Sequence, residues 1–438
     1  MITTANLLSF ASVMKTVGGV ALAMVILLAM VTIHEFGHYV AGKILGFKIN
    51  EFSVGFGPAI FKKRSKKTGE QFSLRIIPLG GYCAFDGEDD GEEPPKAEVS
   101  EKTEEPFAEM ENDGGRDGIT EETGAEPSEE KSVEKEEYPE PKGKRFNEQP
   151  PWKRIIVLIA GATMNYLLAL ALIVLMFACF GRPMYQIVKY EPKEEYQTPG
   201  AIQTYEEGLQ TGDVILEIDG KKIYMITDYL DALNGKKKDE VVKILVLREG
   251  KKERVEVALI EDANPKNMTD TNCVFFSLGI AYREEIEQED GTTALTVTRG
   301  GALKNYGLEE GFFQTIGSSF VYSFKIGGTV LRSLGELLTF KLGINAMGGP
   351  VTTITETAKV ASNGFNDFLN IAAFIGVNLA VFNLLPVPAL DGCKVVFCVI
   401  EWIRKKPINR KVEAIINFVG IIVLFGFAIL VDILHFIL

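Results

Sequence analysis

The sequence predicts an α-helical polytopic membrane protein with about four membrane helices, a membrane-associated β-hairpin and one inserted extracytoplasmic α+β domain. Three observations carry that prediction. Four apolar stretches, 17–45, 154–180, 366–392 and 412–438, are long enough to span or enter a bilayer, which takes about 20 residues of helix. Between the first two, the pattern changes to strand-like runs of Phe, Ile, Val and Leu. Charge is also segregated: 46% of the 438 residues are apolar and 24% charged, yet 23 acidic and 5 basic residues fall between Asp86 and Glu140. That segment has a net charge of −18 in a chain of −13, so the remainder is net positive.

Residues 1–49 hold the first membrane helix. Its apolar run, Val17 to Ile33, leads into His34-Glu35-Phe36-Gly37-His38. Histidines four residues apart share one helical face, about one turn apart. Neutral imidazoles suit Zn²⁺, and a Glu beside the first can take the proton of a zinc-bound water. Two of the chain's three histidines lie here, and polar residues inside an apolar helix cost free energy that function usually repays. No small-residue cleavage site follows the run, so it reads as a retained helix rather than a signal peptide.

Residues 50–85 read as a β-hairpin divided by Arg64-Ser-Lys-Lys-Thr-Gly69, with Gly55, Gly57, Gly80 and Gly81 marking bends or close backbone approaches. Residues 86–150 are acidic, punctuated by Pro and Gly, and too poor in apolar residues to order themselves; they are expected to be a disordered cytoplasmic insertion. Residues 151–183 form the second membrane helix and 184–285 a soluble domain. In that domain a short helix is expected to be capped near Thr227, and two strands to be joined by Glu249-Gly250. Residues 286–350 make a connector with an amphipathic helix between Gly311 and Phe340. The third membrane helix occupies 351–404 and the fourth 405–438.

Basic clusters at Lys62–Lys67, Lys142–Arg154 and Arg404–Lys411 flank these helices. All three agree if those ends are cytoplasmic, which places both termini and the 181–365 region outside. Five cysteines without a CxxC pair point away from a disulfide framework and from a Cys-based zinc site. The partners implied are a lipid bilayer and protein, not nucleic acid.

A catalytic zinc usually takes three protein ligands and leaves a position for water. Asp391, Glu51, Asp86 and His435 are candidates for the third. Asp391 is preferred because Pro386 and Pro388 break the third helix just before it, leaving an ionisable group and free carbonyls at membrane depth. It also lies on the inferred side of HEFGH. An Asp capping the next helix is the structural alternative.

HEFGH in the first helix, together with Asn383-Leu-Leu-Pro-Val-Pro-Ala-Leu-Asp-Gly392, resembles the site-2 protease family of intramembrane zinc metalloproteases, in its bacterial regulator-of-sigma-E branch. Further matches are GFGP at 55–58, IPLGGY at 77–82, Gly161 with Asn165, and GGP at 348–350; residues 201–260 resemble the family's PDZ domain. The resemblance implies one Zn²⁺ per chain held by His34, His38 and Asp391, with Glu35 as general base and acid. It implies that the hairpin, with Gly80 and Gly81, enters the membrane and clamps an unwound substrate, helped by Asn383 and Asn165. It also implies a bacterial multi-pass membrane enzyme with its active site near the cytoplasmic side. Its substrates would be transmembrane segments already trimmed by an upstream site-1-type protease, such as anti-sigma factors or signal-peptide remnants. The chain departs from the pattern in having one PDZ-like domain, in Glu206-Glu207-Gly208 before Leu209, and in its acidic insertion. The rival readings are a non-proteolytic PDZ membrane adaptor and a membrane zinc protease acting on non-transmembrane substrates.

Overall fold

The computed structural model describes residues 4–88, 138–188, 208–287, 293–299, 301–306, 311–343 and 348–437. The first helix, α1 (Thr4–Leu45), is apolar through most of its length and ends at Gly46, whose φ of 78° suits the left-handed position after a helix. The Phe47 N–H returns to the Gly42 carbonyl at 2.9 Å.

Strands β1 (Ile49–Arg64) and β2 (Gln71–Phe85) are joined by the polar turn read from the sequence, but they form more than a hairpin. Phe52 pairs with both Phe72 and Cys83, and Val54 with both Leu74 and Gly81. Each strand therefore doubles back on itself. The segments lie in the order 61–64, 71–74, 51–54 and 81–84, which makes three ladders from two strands. The folds occur at Gly55 and Gly57 (φ 85° and 83°) and at Gly80 (φ 94°), a region that residues with a Cβ avoid. The stem packs Phe47, Ile49, Cys83 and Phe85 against Phe146, Val157, Leu158 and Cys398.

Most of the acidic segment, 89–137, lies outside the described residues, and so does its expected disorder. Its two stems meet. The Phe146 N–H donates to the Asp86 carbonyl at 2.7 Å, and the Asp86 carboxylate pairs with Lys48 at 2.8 Å and Arg145 at 3.4 Å. The Lys48 ammonium hydrogen-bonded to Asp86 holds that carboxyl below its ordinary range.

Helix α2 (Pro151–Phe180) starts with proline at its first position, where a missing N–H costs nothing. Beyond it come β3 (Arg182–Ile187), β4 (Val214–Ile218), β5 (Lys221–Lys222), α3 (Ile226–Leu233), β6 (Val241–Arg248), β7 (Lys251–Ala258), α4 (Thr271–Ser277), β8 (Ala281–Glu287), β9 (Thr293–Arg299) and β10 (Gly301–Tyr306). One sheet runs β10-β3-β4-β6-β7 with β5 on β4; β8 and β9 pair separately. Because β10 pairs with β3, this sheet extends past residue 285, where the sequence reading closed the domain. Glu249-Gly250 does join β6 to β7, with both φ values positive as a tight hairpin turn needs. Thr227 does not cap α3. The Asp228 carboxylate accepts from the N–H groups of Tyr224 (2.7 Å) and Met225 (3.0 Å), and Thr227 is buried in the first turn.

The remaining helices are α5 (Phe312–Leu338), α6 (Pro350–Ala361), α7 (Phe365–Asn383), α8 (Asp391–Arg404) and α9 (Arg410–Ile437). Four helices are long and apolar enough to cross a membrane: Thr16–Leu45, Pro151–Phe180, Phe365–Asn383 and Arg410–Leu434. The third apolar stretch leaves the helix at Asn383, short of residue 392, because Leu385 precedes Pro386 and the α conformation is disfavoured there.

Small residues let the helices approach closely, the usual solution where lipid removes the hydrophobic drive. An added Cβ on Gly37 would sit 2.4 Å from the Ala160 carbonyl oxygen, and one on Gly376 3.0 Å from the Ala169 Cβ. Buried Arg154, at the start of α2, pairs with Glu401 of α8 at 2.7 Å and fixes where α8 runs. The five cysteines are free; Cys83, Cys393 and Cys398 pack in the interior, while Cys179 is exposed.

The Gly348-Gly349-Pro350 motif has a local cause. The Asp432 carboxylate of α9 lies over the N-terminus of α6, accepting from the Val351 N–H (2.9 Å), the Thr352 N–H (3.2 Å) and the Thr352 hydroxyl (2.9 Å). A Cβ on Gly349 would meet the Asp432 Cγ at 2.4 Å. Asp432→Ala is expected to destabilise the protein by about 1–2 kcal/mol, the range for a lost helix cap. The check is the midpoint of denaturant unfolding in micelles, with Asp432→Asn recovering part of the loss.

Candidate metal centre

Two elements converge on one point. α1 supplies His34 and His38, one turn apart and both buried. The Asp391 carboxylate arrives from the first residue of α8, beyond the proline turn. Its Oδ2 lies 3.0 Å from His34 Nε2 and 3.3 Å from His38 Nε2, and the two Nε2 atoms are 3.1 Å apart. One ligand atom from each residue falls within 4.8 Å of the others, a grouping that fits a metal ion.

The chemistry of the donors agrees. His38 Nδ1–H donates to the Val157 carbonyl at 2.8 Å, so the lone pair is on Nε2, aimed at the cluster. Asn165, fully buried on α2, has its amide 3.4 Å from His34 Nδ1, and its Oδ1 has no hydrogen-bond partner. Turning the amide by 180° exchanges its oxygen and nitrogen. With the two exchanged, Oδ1 accepts from His34 Nδ1–H and is satisfied. His34 then also turns its Nε2 lone pair inward. Asn383, the last residue of α7, brings its Nδ2 to 3.3 Å from His34 Nδ1 and 3.4 Å from Nε2.

Two imidazole nitrogens and a carboxylate oxygen are the donors a catalytic zinc takes when it keeps a position for water. Glu35 follows His34 directly and lies against β2: a Cβ on Gly81 would be 3.5 Å from its Cγ. Gly81 also has no room for a side chain over the Ser53 carbonyl, at 2.7 Å, and Gly80 none over the Phe56 ring, at 2.0 Å. The bare backbone of β2 therefore passes the site at the position of Glu35. The other third-ligand candidates are engaged elsewhere. Glu51 pairs with Arg75 at 2.9 Å and Asp86 with Lys48. His435 lies in the last turns of α9, and its side chain is outside the described residues.

The profile of peptidase family M50 matches residues 22–427, from before the first histidine to past Asp391. The chain belongs to peptidase family M50. Among curated relatives, this M50 peptidase is 28% identical over 427 residues to the "Regulator of sigma-W protease RasP" of Bacillus subtilis, covering 90% of this chain and 92% of that protein. It is 28% identical over 425 residues to "Zinc metalloprotease RasP" of Bacillus licheniformis, covering 90% and 92%. To "Zinc metalloprotease RasP" of Oceanobacillus iheyensis it is 27% identical over 428 residues, covering 89% and 92%. The M50 chain is a zinc metalloendopeptidase, and the adaptor reading is set aside.

Sequence reasoning named every side chain in this cluster but not the Val157 carbonyl, because a backbone acceptor leaves no mark on residue identity. It noted Gly161 only through resemblance. Its reason is steric: a Cβ there would lie 2.4 Å from His38 Nε2 and 2.8 Å from His34 Cε1. Gly161→Ala is expected to weaken zinc binding by about 10–100-fold, the range for disturbed outer contacts, while leaving helical content unchanged. Chelator competition beside circular dichroism checks it.

Proposed function

We propose that this M50 peptidase hydrolyses peptide bonds within transmembrane segments of membrane proteins that an earlier cut has shortened, with one Zn²⁺ held by His34, His38 and Asp391. The observation that carries the reading is the three-donor cluster built between helices of membrane-spanning length. His34 is eleven residues before the end of α1, roughly 16 Å of helix. The name of the Bacillus subtilis relative, a regulator of sigma-W, supports membrane regulatory proteins such as anti-sigma factors as substrates. Signal-peptide remnants have the same chemistry and fall in the same class.

Zinc, when bound, lowers the pKa of a ligated water towards about 7 and polarises the scissile carbonyl. The Glu35 carboxylate takes the proton of the attacking water and passes it to the leaving amide nitrogen. Asn383, and Asn165 behind it, orient the His34 ring and place an amide donor beside the position of the scissile carbonyl. A helical substrate hides its peptide bonds in its own hydrogen bonds, so it must unwind before they can be cut. Segment 81–84, at the edge of the small sheet, offers replacement backbone partners by strand addition, and Gly80 and Gly81 keep that edge free of side chains. This sheet enters the membrane from its stem, where Ile49, Cys83 and Phe85 pack against Val157 and Leu158 of α2 and Cys398 of α8.

The basic clusters at 62–67, 142–154 and 404–411 support a cytoplasmic placement of the hairpin turn and of the ends of α1 and α8. The β3–β10 domain, which resembles a PDZ fold, then lies outside the cytoplasm. There it excludes substrates not yet trimmed by a first protease.

Glu35→Gln is expected to keep zinc content near one per chain while peptide cleavage falls by about 10³-fold or more, because the proton acceptor is lost. The assay is cleavage of a reconstituted single-span peptide, with metal analysis of the same sample. Full cleavage by the Glu35→Gln protein sinks the mechanism. Asp391→Ala is expected to lose tight zinc as well, and retention of zinc there sinks the ligand assignment.

A further inference from the structure

The turn that carries Asp391 is not relaxed. Val387–Leu390 closes with the Leu390 N–H on the Val387 carbonyl at 3.1 Å. Pro388 takes its second position and Ala389 its third, with φ of 75°. That pattern marks a type II turn, in which the third position normally belongs to glycine, because a Cβ there crowds the neighbouring carbonyl. Two residues later Asp391 begins α8. Gly392 allows this tight re-entry: a Cβ on it would lie 2.2 Å from the Leu385 carbonyl oxygen.

A distant element holds the turn from outside. On α9, Asn417 Oδ1 accepts from the Ala389 N–H at 3.3 Å. One turn further, Gly420 is buried against Pro388, where an added Cβ would stand 2.3 Å from the Pro388 Cβ. Residues three apart share a helix face, so this face presents an acceptor and a flat seat to successive residues of the turn. Around them α9 is lipid-like, with Phe418 64% and Val419 51% exposed. A polar side chain in such a helix is costly unless it has a function.

We propose that Asn417 and Gly420 are positioning residues that hold the Ala389 turn in its positive-φ form, and so keep Asp391 on the zinc. The proposal rests on the reading of Asp391 as a zinc ligand and adds a fifth helix to the site, beyond α1, α2, α7 and α8, one that touches no ligand directly. α9 is tied at one end through Asp432 to α6 and at the other through Asn417 to the turn. A displacement of α9, as when a substrate helix passes beside it, is thereby transmitted to the metal site.

The test is zinc affinity of the purified full chain in micelles, measured by competition with a fluorescent chelator. Asn417→Ala is expected to weaken zinc about tenfold, the low end for outer-contact residues. Ala389→Gly in that background is expected to restore most of the loss, because glycine adopts the positive φ unaided. A residue that merely stabilised α9 would not be rescued this way. Gly420→Ala is expected to weaken zinc too, by pushing the turn away, and Ala389→Gly will not repair it. Phe418→Ala, facing outward, leaves affinity unchanged. If Asn417→Ala does not fold, Asn417→Gln with and without Ala389→Gly decides by the same criterion. Wild-type affinity in the Asn417 variant, or no recovery with Ala389→Gly, overturns the brace. Absence of tight zinc in the wild-type chain overturns the ligand reading instead.

Discussion

The site depends on how near the backbone of α1 comes to that of α2. At ordinary interhelical distances His38 Nδ1 would not reach the Val157 carbonyl, and its ring would be free to turn. Gly37 and Gly161 remove the side chains that would hold the helices apart. The contact does two things at once. It supplies dispersion where lipid offers no hydrophobic drive, and it fixes the tautomer of an imidazole. Stability and chemistry therefore share one interface, and neither glycine can be exchanged without disturbing both.

Around this contact the chain solves the problem of unpaired backbone polar groups. The doubled-back sheet satisfies its inner ladders and leaves the 81–84 edge beside Glu35. The start of α6 is answered by Asp432. In each case the partner comes from a segment distant in sequence, so polar satisfaction and tertiary arrangement are one constraint rather than two.

Much of this was legible in the residues. Period and length marked the four apolar helices, and the i, i+4 spacing of His34 and His38 with the rarity of histidine singled out the candidate metal pair. The proline pair before Asp391 pointed to the partner that the structure brings beside them. What escaped has physical reasons. A strand that folds back on itself has the same alternation as one that runs straight, so only Gly55, Gly57 and Gly80 hinted at the four-segment sheet. The pairing of β10 with β3 joins segments more than a hundred residues apart, and no local pattern encodes it. Asp228 rather than Thr227 caps α3 because the reciprocal bond reaches backwards. Asp432 leaves no local signal, since it sits in an apolar run and its partners are backbone groups about eighty residues earlier.

The joined stems of the acidic segment bear on how this enzyme can vary. With the Asp86 carbonyl bonded to the Phe146 N–H at 2.7 Å, the chain leaves and rejoins the frame at a single point. Closure entropy grows only with the logarithm of loop length. The span between the stems can thus be lengthened, shortened or exchanged at small thermodynamic cost, without passing strain to α1 or α2. It is a port in the architecture, where new sequence can be tried by evolution, or a reporter inserted by an experimenter, while the catalytic frame stays as it is.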